Sequence, residues 1–394
     1  MSHSETNITM TNAAMEMIMA LVNDQGINAI GSAVQILLNE TMKVERARYL
    51  GANPYERTSE RSDYANGFKD KTLNTRVGVI KVDVPQVRSC DFYPSALEKG
   101  QRSDQAIGLA VAEMYVQGVS TRKVKAITEQ LCGLEISSTE VSRICKKMDG
   151  PLSNWRNRKL GKYAYLVVDA LYEKVRHNGN VISLAVLIAY GTNAQGKREV
   201  LGVSVSLSEA EVHWRTFFES LLERGLHGVE LITSDAHSGL KAALQTVFPT
   251  VPWQRCQFHL QQNASSYVVK KANKEAVAED IRNIFNAPNE TEAKRLLGLA
   301  ATKYASTESK LSTWMEENVP QSFAVFKRPK AHQKKLRTSN MAERVNKEIR
   351  RRTKVVGIFP NEASCLRLIS AILCERHEYW IEEKIYLNME ILKK

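Results

Sequence analysis

No two cysteines of this chain stand at C-x-x-C spacing, and the six present (Cys90, Cys132, Cys145, Cys256, Cys365 and Cys374) form no disulfide framework. That argues against a cysteine-stapled secreted scaffold and leaves reduced thiols in a cytosolic protein. The N-terminus lacks the basic region and cleavage site of a secretory signal. Long hydrophobic runs are missing too; the longest, Val181 to Tyr190, is too short to span a bilayer. The expectation is a soluble, cytoplasmic protein with no membrane partner. Acidic residues are in deficit: 43 Asp and Glu stand against 55 Lys and Arg, a formal charge of +12 and a pI of about 9.3. Such a surplus favours a polyanionic partner.

The positive charge is concentrated. Lys327, Arg328, Lys330, Lys334, Lys335 and Arg337 crowd one segment, and Arg344, Lys347, Arg350, Arg351, Arg352 and Lys354 crowd the next. The chain is long enough for two or three domains. Residues 1–50 have helical periodicity, with Met15, Ile18, Met19 and Val22 on one face and Ile30, Val34, Leu37 and Leu38 on another. Residues 51–70 are polar and read as an extended, loosely structured segment; here and just after it Arg57, Arg61, Lys69 and Lys71 either track phosphates or face solvent. Alternation over 75–87, stopping at Pro85, predicts a small strand pair.

Residues 120–148 fit a helix-turn-helix. Ser120 caps the first helix, whose inner face is Val124, Ile127 and Leu131; Gly133 supplies the turn. Ser137 or Ser138 caps the second, with Val141, Ile144 and Met148 inward. Arg143, Lys146 and Lys147 then face outward, as a DNA-recognition helix requires, with Arg122 and Lys123 on the first helix. A purely structural helix pair has the same pattern.

From about residue 160 the texture changes. Apolar strands at 163–171, 181–190 and 198–207 are followed by a helix (209–224), a strand (229–234), a helix (237–247) and a short strand (251–255). This β-β-β-α-β-α-β order is ribonuclease-H-like: an α/β fold with a mixed sheet, hairpins first and parallel strands after. Residues 256–326 carry only helical signals (257–271, 274–286, 290–303, 308–317) and read as an all-α insertion; helices resume at 340–352 and 361–391.

Three carboxylates stand out on this frame. Asp169 ends the run Tyr165-Leu-Val-Val-Asp169, Asp235 ends Leu231-Ile-Thr-Ser-Asp235, and Glu343 lies on a basic helix. Each has an ordinary explanation. Asp169 pairs with Lys174 or Arg176, Asp235 caps the next helix, and Glu343 completes a capping box with Asn340 or pairs with Lys347. Together they suggest more, because first and fourth strands are neighbours in a ribonuclease-H-like sheet and a helix after the last strand reaches the same point. Oxygen ligands so grouped suit Mg²⁺. Two such ions about 3.5–4 Å apart activate an attacking oxygen and steady a leaving one. Asp169 would bridge both ions, and Asp235 and Glu343 would each complete one. Cys256 and His259 form one C-x-x-H, too few ligands for structural zinc, and are expected to pack at the start of the insertion. Trp314 is either core or a platform for an unpaired base.

The ordered stretches Val119-Ser-Thr-Arg-Lys-Val, Val167-Val-Asp169-Ala, Arg224-Gly-Leu-His-Gly-Val, Ser234-Asp-Ala-His-Ser-Gly-Leu, Trp253-Gln-Arg-Cys-Gln-Phe-His and Thr338-Ser-Asn-Met-Ala-Glu343-Arg-Val-Asn resemble the Mutator-type bacterial insertion-sequence transposases, a DDE family. The resemblance runs from about residue 50 onward. It implies a ribonuclease-H-like catalytic domain with a helical insertion, a triad at Asp169, Asp235 and Glu343, and a Cys/Asp-x-x-His signature at Cys256 and His259. It also implies nicking and 3′-hydroxyl strand transfer with two Mg²⁺ per site, Mn²⁺ being a substitute, often through a circular intermediate. The implied partners are double-stranded DNA, as terminal inverted repeats and target, and a second copy in a homodimer; the implied setting is the bacterial nucleoid. Met341-Ala342 departs from the Ala-Ile that more often precedes the Glu.

These readings divide the chain at 1–75 (dimerisation and DNA contact), 76–157 (strand pair and helix-turn-helix), 158–255 and 336–394 (catalytic domain) and 256–335 (insertion). DNA contacts are expected at Arg122, Lys123, Arg143, Lys146, Lys147, Arg344, Lys347, Arg350 and Arg351. A nuclease that cuts without joining, and a repressor derived from such an enzyme, are the rival readings.

Overall fold

Helical periodicity, strand alternation and two long apolar hairpins divide the chain into two units, Met1–Tyr115 with Val119–Cys145, and Val116–Gly118 with Lys146–Lys394. The structure, a computed structural model, describes residues 12–56, 58–59, 61–75, 77–89, 92–97, 105–132 and 135–393. Arg57 and the turn residue Gly133 lie outside the described residues. No helix among them is long and apolar enough to cross a membrane.

In the first unit, α1 (Asn12–Gln25) and α2 (Ile30–Leu50) precede a hairpin of β1 (Ala65–Thr75) and β2 (Gly78–Val87). Met42 of α2 packs on Ile80, Val82 and Val84, with Leu97 closing this small core. Met15, Met19 and Val22 on α1 are exposed. The hairpin corrects two expectations. β1 falls largely in the segment read as loosely structured, because a strand exposed along most of its length has no apolar alternation to reveal it. Pro85 does not end β2. It pairs with Phe68 beside a bulge in β1, and β2 has a partner on one side only, where proline is tolerated. Next come α3 (Gln105–Val116), α4 (Thr121–Cys132) and α5 (Ser138–Lys146). Ser120 Oγ accepts from Lys123 N at 3.3 Å, and Ser137 Oγ from Glu140 N at 3.2 Å, so both serines cap as their positions predict. Val124, Val141 and Ile144 are buried.

The second unit is built on a five-stranded sheet. After α6 (Asp149–Arg156) come β3 (Tyr163–His177), β4 (Asn180–Asn193), β5 (Arg198–Ser206), α7 (Glu211–Glu223), β6 (Leu231–Ser234), α8 (Ser238–Val247) and β7 (Trp253–Arg255). The strand order is β5-β4-β3-β6-β7, with β3, β4 and β5 antiparallel and β6 and β7 parallel to β3. β3 and β4 are longer than their apolar runs because they continue as a polar ribbon beyond the buried sheet. On one face Leu166, Val168 and Ile232 pack on Trp214, Phe217, Phe218 and Leu240 of α7 and α8. On the other, Tyr165 and Leu231 pack on Val325, Leu336 and Leu387. Cover on both faces explains the unbroken burial of β4 from Leu184 to Thr192.

The chain then leaves the sheet. α9 (Gln257–Ser266), α10 (Lys274–Phe285), α11 (Glu290–Tyr304) and α12 (Ser309–Asn318) enclose their own core of Leu260, Ile281, Ile284, Leu297, Leu311 and Met315. Gln254 of β7 fastens the return: its Nε2 donates to Ser322 O at 2.9 Å and its Oε1 accepts from Val325 N at 2.8 Å. α13 (Lys330–Leu336), α14 (Asn340–Thr353) and α15 (Glu362–Glu382) follow. α15 stops short of the predicted 391 because Glu383 turns extended and the tail folds back on the β4–β5 hairpin. There Gly196 O accepts from Tyr386 N at 2.9 Å and Leu387 N at 3.2 Å.

His377 of α15 is only 6% exposed, and its Nδ1 accepts from Val200 N at 3.2 Å. Burial, with Arg158 adding repulsion, pushes its pKa down to about 4. The unfolded chain protonates this imidazole near pH 6.5. Its contribution to stability is therefore whole above that pH and is lost as pH falls toward 4, at up to about 1.4 kcal/mol per pH unit. Urea midpoints at pH 7 and pH 5 should differ clearly in the native chain and much less in His377→Gln; equal losses in both would refute this assignment.

Candidate active site

β3 is fully buried from Tyr163 to Val168, and Asp169 is the first partly exposed residue. It lies in mid-strand rather than at a strand end. β3 and β6 pair in parallel as Tyr165 with Leu231, Leu166 with Ile232 and Val167 with Thr233. Asp169 and Asp235 each follow the paired Val167 and Thr233 by two residues, Asp169 still within β3 and Asp235 just past the end of β6, and their charges interact. Asp235 does not cap the next helix: α8 starts at Ser238 with His237 at its N-cap, and Asp235 Oδ1 accepts from Ala236 N at 2.7 Å.

Glu343 comes from the first turn of α14, held against the sheet by contacts far apart in sequence. Thr233 Oγ1 donates to Leu336 O at 2.8 Å, and Gln257 N donates to Arg337 O at 3.0 Å. Ser339 N and Oγ donate to Cys256 Sγ at 3.3 and 3.2 Å. Glu343 N closes the turn onto Ser339 O at 3.1 Å. One turn later Asn346, 8% exposed, donates from Nδ2 to Asp169 Oδ2 at 2.7 Å. This bond takes the place of the Lys174 or Arg176 pairing considered for Asp169.

The charges respond to one another. Asp169 is pushed up to about 6, first by burial and further by Asp235 and Glu343, while His259 opposes the rise. His259 is pushed up to about 9, first by its contact with the Cys256 thiol, against burial, and then by Asp235 and Asp169. Cys256 is buried, which raises a thiol, yet its partners His259 and Ser339 bring it below its ordinary value. His259 Nε2 lies 3.8 Å from Glu343 Oε1. Arg255, buried and bonded to Asn318 Oδ1 at 2.7 Å, adds a second cation whose charge Asp235 favours.

Cys256 does pack at the start of the insertion, but with His259 it also faces the acidic cluster. Among the described residues the one set of three donors within 4.8 Å of one another is Cys256, His259 and Glu343; the three carboxylates are spread more widely. Glu343 Oε1 and Asn346 Oδ1 are buried without hydrogen-bond partners. An orphaned carboxylate oxygen and an orphaned amide oxygen, the latter on the side chain that bonds Asp169, fit a hard divalent cation.

Arg344, Lys347, Arg350 and Arg351 are exposed along α14, Arg351 being paired with Glu348 at 2.7 Å. Arg352 is instead buried between Glu348 and Glu375. Arg122, Lys123 and Arg143 are exposed in the first unit, and Lys146 and Lys147 are exposed at the beginning of the second. Trp314 is 8% exposed in the insertion core, stacked on Tyr267 at 5.2 Å. The sequence reading missed Asn346, Ser339 and Arg255. Asn346 had a signal: on a helix it shares the face of Glu343, three residues earlier.

The family described as Transposase, Mutator family matches residues 3–383. The transposase for insertion sequence element IS406 of Burkholderia multivorans is 55% identical over 376 residues, covering 95% of this chain and 97% of that protein. The transposase for ISRM5 of Rhizobium meliloti is 43% identical over 375 residues, covering 95% and 93%. The transposase for IS256 in transposon Tn4001 of Staphylococcus aureus is 37% identical over 359 residues, covering 90% and 92%.

Proposed function

This chain belongs to the Mutator family of transposases, and from that premise we propose that it nicks DNA at the ends of an insertion sequence and joins the freed 3′-hydroxyl to another strand. The reaction is assigned to Asp169, Asp235 and Glu343 in a ribonuclease-H-like domain. The observation that carries this reading is the parallel β3–β6 register, which aligns the two aspartates, with α14 anchored across them through Asn346 and Asp169.

Asp169, Asp235 and Glu343 would together hold two divalent cations. Mg²⁺, or Mn²⁺ in its place, supplies activation of the attacking oxygen and charge neutralisation at the leaving one. Asn346 keeps the Asp169 carboxylate aimed into the site. The His259 imidazolium lowers the repulsion among the three carboxylates. Arg344, Lys347, Arg350 and Arg351 form a phosphate-binding face, and the capped α4–α5 pair serves as a helix-turn-helix, presenting Arg122, Lys123, Arg143, Lys146 and Lys147 to duplex DNA. The exposed methionine-rich face of α1 is assigned to homodimerisation and the joining of two inverted repeats. The catalytic domain comprises 158–255 and 336–394, interrupted by the insertion at 256–335; residues 1–75 and 76–157 serve dimerisation and end binding. Trp314, already stacked on Tyr267, is assigned to the insertion core rather than to an unpaired base. The protein acts on the bacterial nucleoid in the cytoplasm.

The test is a labelled duplex carrying an element end, incubated with Mg²⁺, with Mn²⁺ and with EDTA. Joined products should form with either metal and vanish with EDTA; hydrolysed ends alone would replace this reading with that of a nuclease. Asn346→Ala should slow joining by about 10–100-fold, the usual cost of losing a group that orients a metal ligand. An unchanged rate would remove Asn346 from the mechanism.

A further inference from the structure

The first turn of α14 has two working sides. Helix geometry sets Glu343 and Asn346 on one flank and Met341, Arg344 and Val345 on another. The second flank opens into a cavity of about 510 Å³. Its charge is lopsided, with Arg198, Lys334, Lys335, Arg344 and Arg376 set against the single acid Glu383. Its back wall is built rather than incidental. The Arg198 guanidinium lies over the rings of Trp380 at 4.7 Å and Tyr386 at 4.6 Å and is bonded to Glu383. Trp380 also meets Tyr190 edge-on at 5.8 Å, and Lys335 lies 4.5 Å from the Tyr386 ring. Those two rings are therefore engaged. Tyr379 is different: 52% exposed at the mouth, with the Arg376 guanidinium 5.3 Å from its ring.

We propose that this cavity is a subsite for one unpaired nucleotide of the DNA strand being processed. Its phosphate would lie on Arg344, Lys334 and Lys335, and its base against Tyr379. Three observations carry the inference. The volume suits a single nucleotide and not a duplex. Cations and an exposed ring at one mouth match the two features that every nucleotide offers, a phosphate and a π-face. The shared helix turn sets the subsite about one helix diameter from Glu343, within about three nucleotides along a strand. Extruding a base in this way would hold the strand in place beside the carboxylates without reading its sequence.

The inference rests on the reading that this chain processes DNA, and its test is independent of the triad. Full-length protein is titrated in EDTA against a labelled random-sequence duplex, either blunt or with a short oligo-dT tail, and anisotropy is read. The tail should tighten binding about tenfold, the order of one base stacked on an aromatic ring. Tyr379→Ala with Arg376→Ala should erase that gain while blunt-duplex affinity persists, which also reports that the variant is folded. If the double variant fails to fold, Tyr379→Ala alone, at an exposed position, gives the decision. Tyr379→Phe should keep the gain. Equal binding of tailed and blunt duplexes by the native protein, or a gain that survives Tyr379→Ala, overturns the subsite. Cleavage that survives Asp235→Ala would sink the catalytic assignment and leave the tail preference standing.

Discussion

Asp235→Ala should abolish strand cleavage while leaving affinity for element ends unchanged. The β3–β6 register sets this carboxylate beside Asp169, where it is one of the charges that lift the Asp169 pKa. Removing it deletes a ligand from one proposed ion and leaves His259 and Arg255 without an acid that favours their charged forms. The lost charge stabilisation is worth several kcal/mol, so the rate should fall by about a thousandfold or more. The substitution opens no core cavity, because Asp235 is partly exposed at the end of β6. Binding by anisotropy and cleavage on a denaturing gel separate the two effects. Cleavage with Mg²⁺ at the native rate would refute the triad. Cleavage and binding lost together would instead point to a folding defect.

Gly196→Val should destabilise the second unit by on the order of 3–5 kcal/mol. Gly196 has φ +77°, where a β-branched residue is strained, and an added Cβ would sit 1.8 Å from Leu387 O. Neither fault can relax alone, since Gly196 O also accepts from Tyr386 N and Leu387 N. The tail after Glu383 would detach and take with it Tyr386, which stacks on Arg198, and Leu387, which covers Tyr165 and Leu231. Limited proteolysis should then cut after α15, and the urea midpoint should drop. A variant with native midpoint and a protected tail would show that the hairpin and tail are not coupled.

The sheet of the second unit was readable because its strands are apolar runs bounded by turns, and because Asp169 and Asp235 interrupt such runs with charge. Glu343 was readable only through its basic helix and the spacing that an insertion explains. What could not be read is what holds α14 in place. Thr233 meets Leu336, Cys256 meets Ser339 and Asp169 meets Asn346 across intervals of 83 residues or more, and no local pattern encodes such pairs. The C-x-x-H has too few ligands nearby in sequence for structural zinc, and its neighbour in the fold is Glu343, a relation created by the return of the chain. β1 was hidden for the opposite reason: its backbone pairs with β2 while its side chains mostly face solvent, so hydrogen bonding shapes it without leaving a hydrophobic signature.

The detour between β7 and α14 also sets the order in which a ribosome delivers the site. Both aspartates, the C-x-x-H and the helices α9 to α13 are translated before Glu343. Asn346 and the Gly196-bound tail arrive later still. A nascent or prematurely terminated chain ending before α14 carries a sheet with two acids and no third, so on the proposed mechanism it cannot cut. On that mechanism cleavage waits for α14 to be made, and a frameshift anywhere upstream of residue 343 disarms the product.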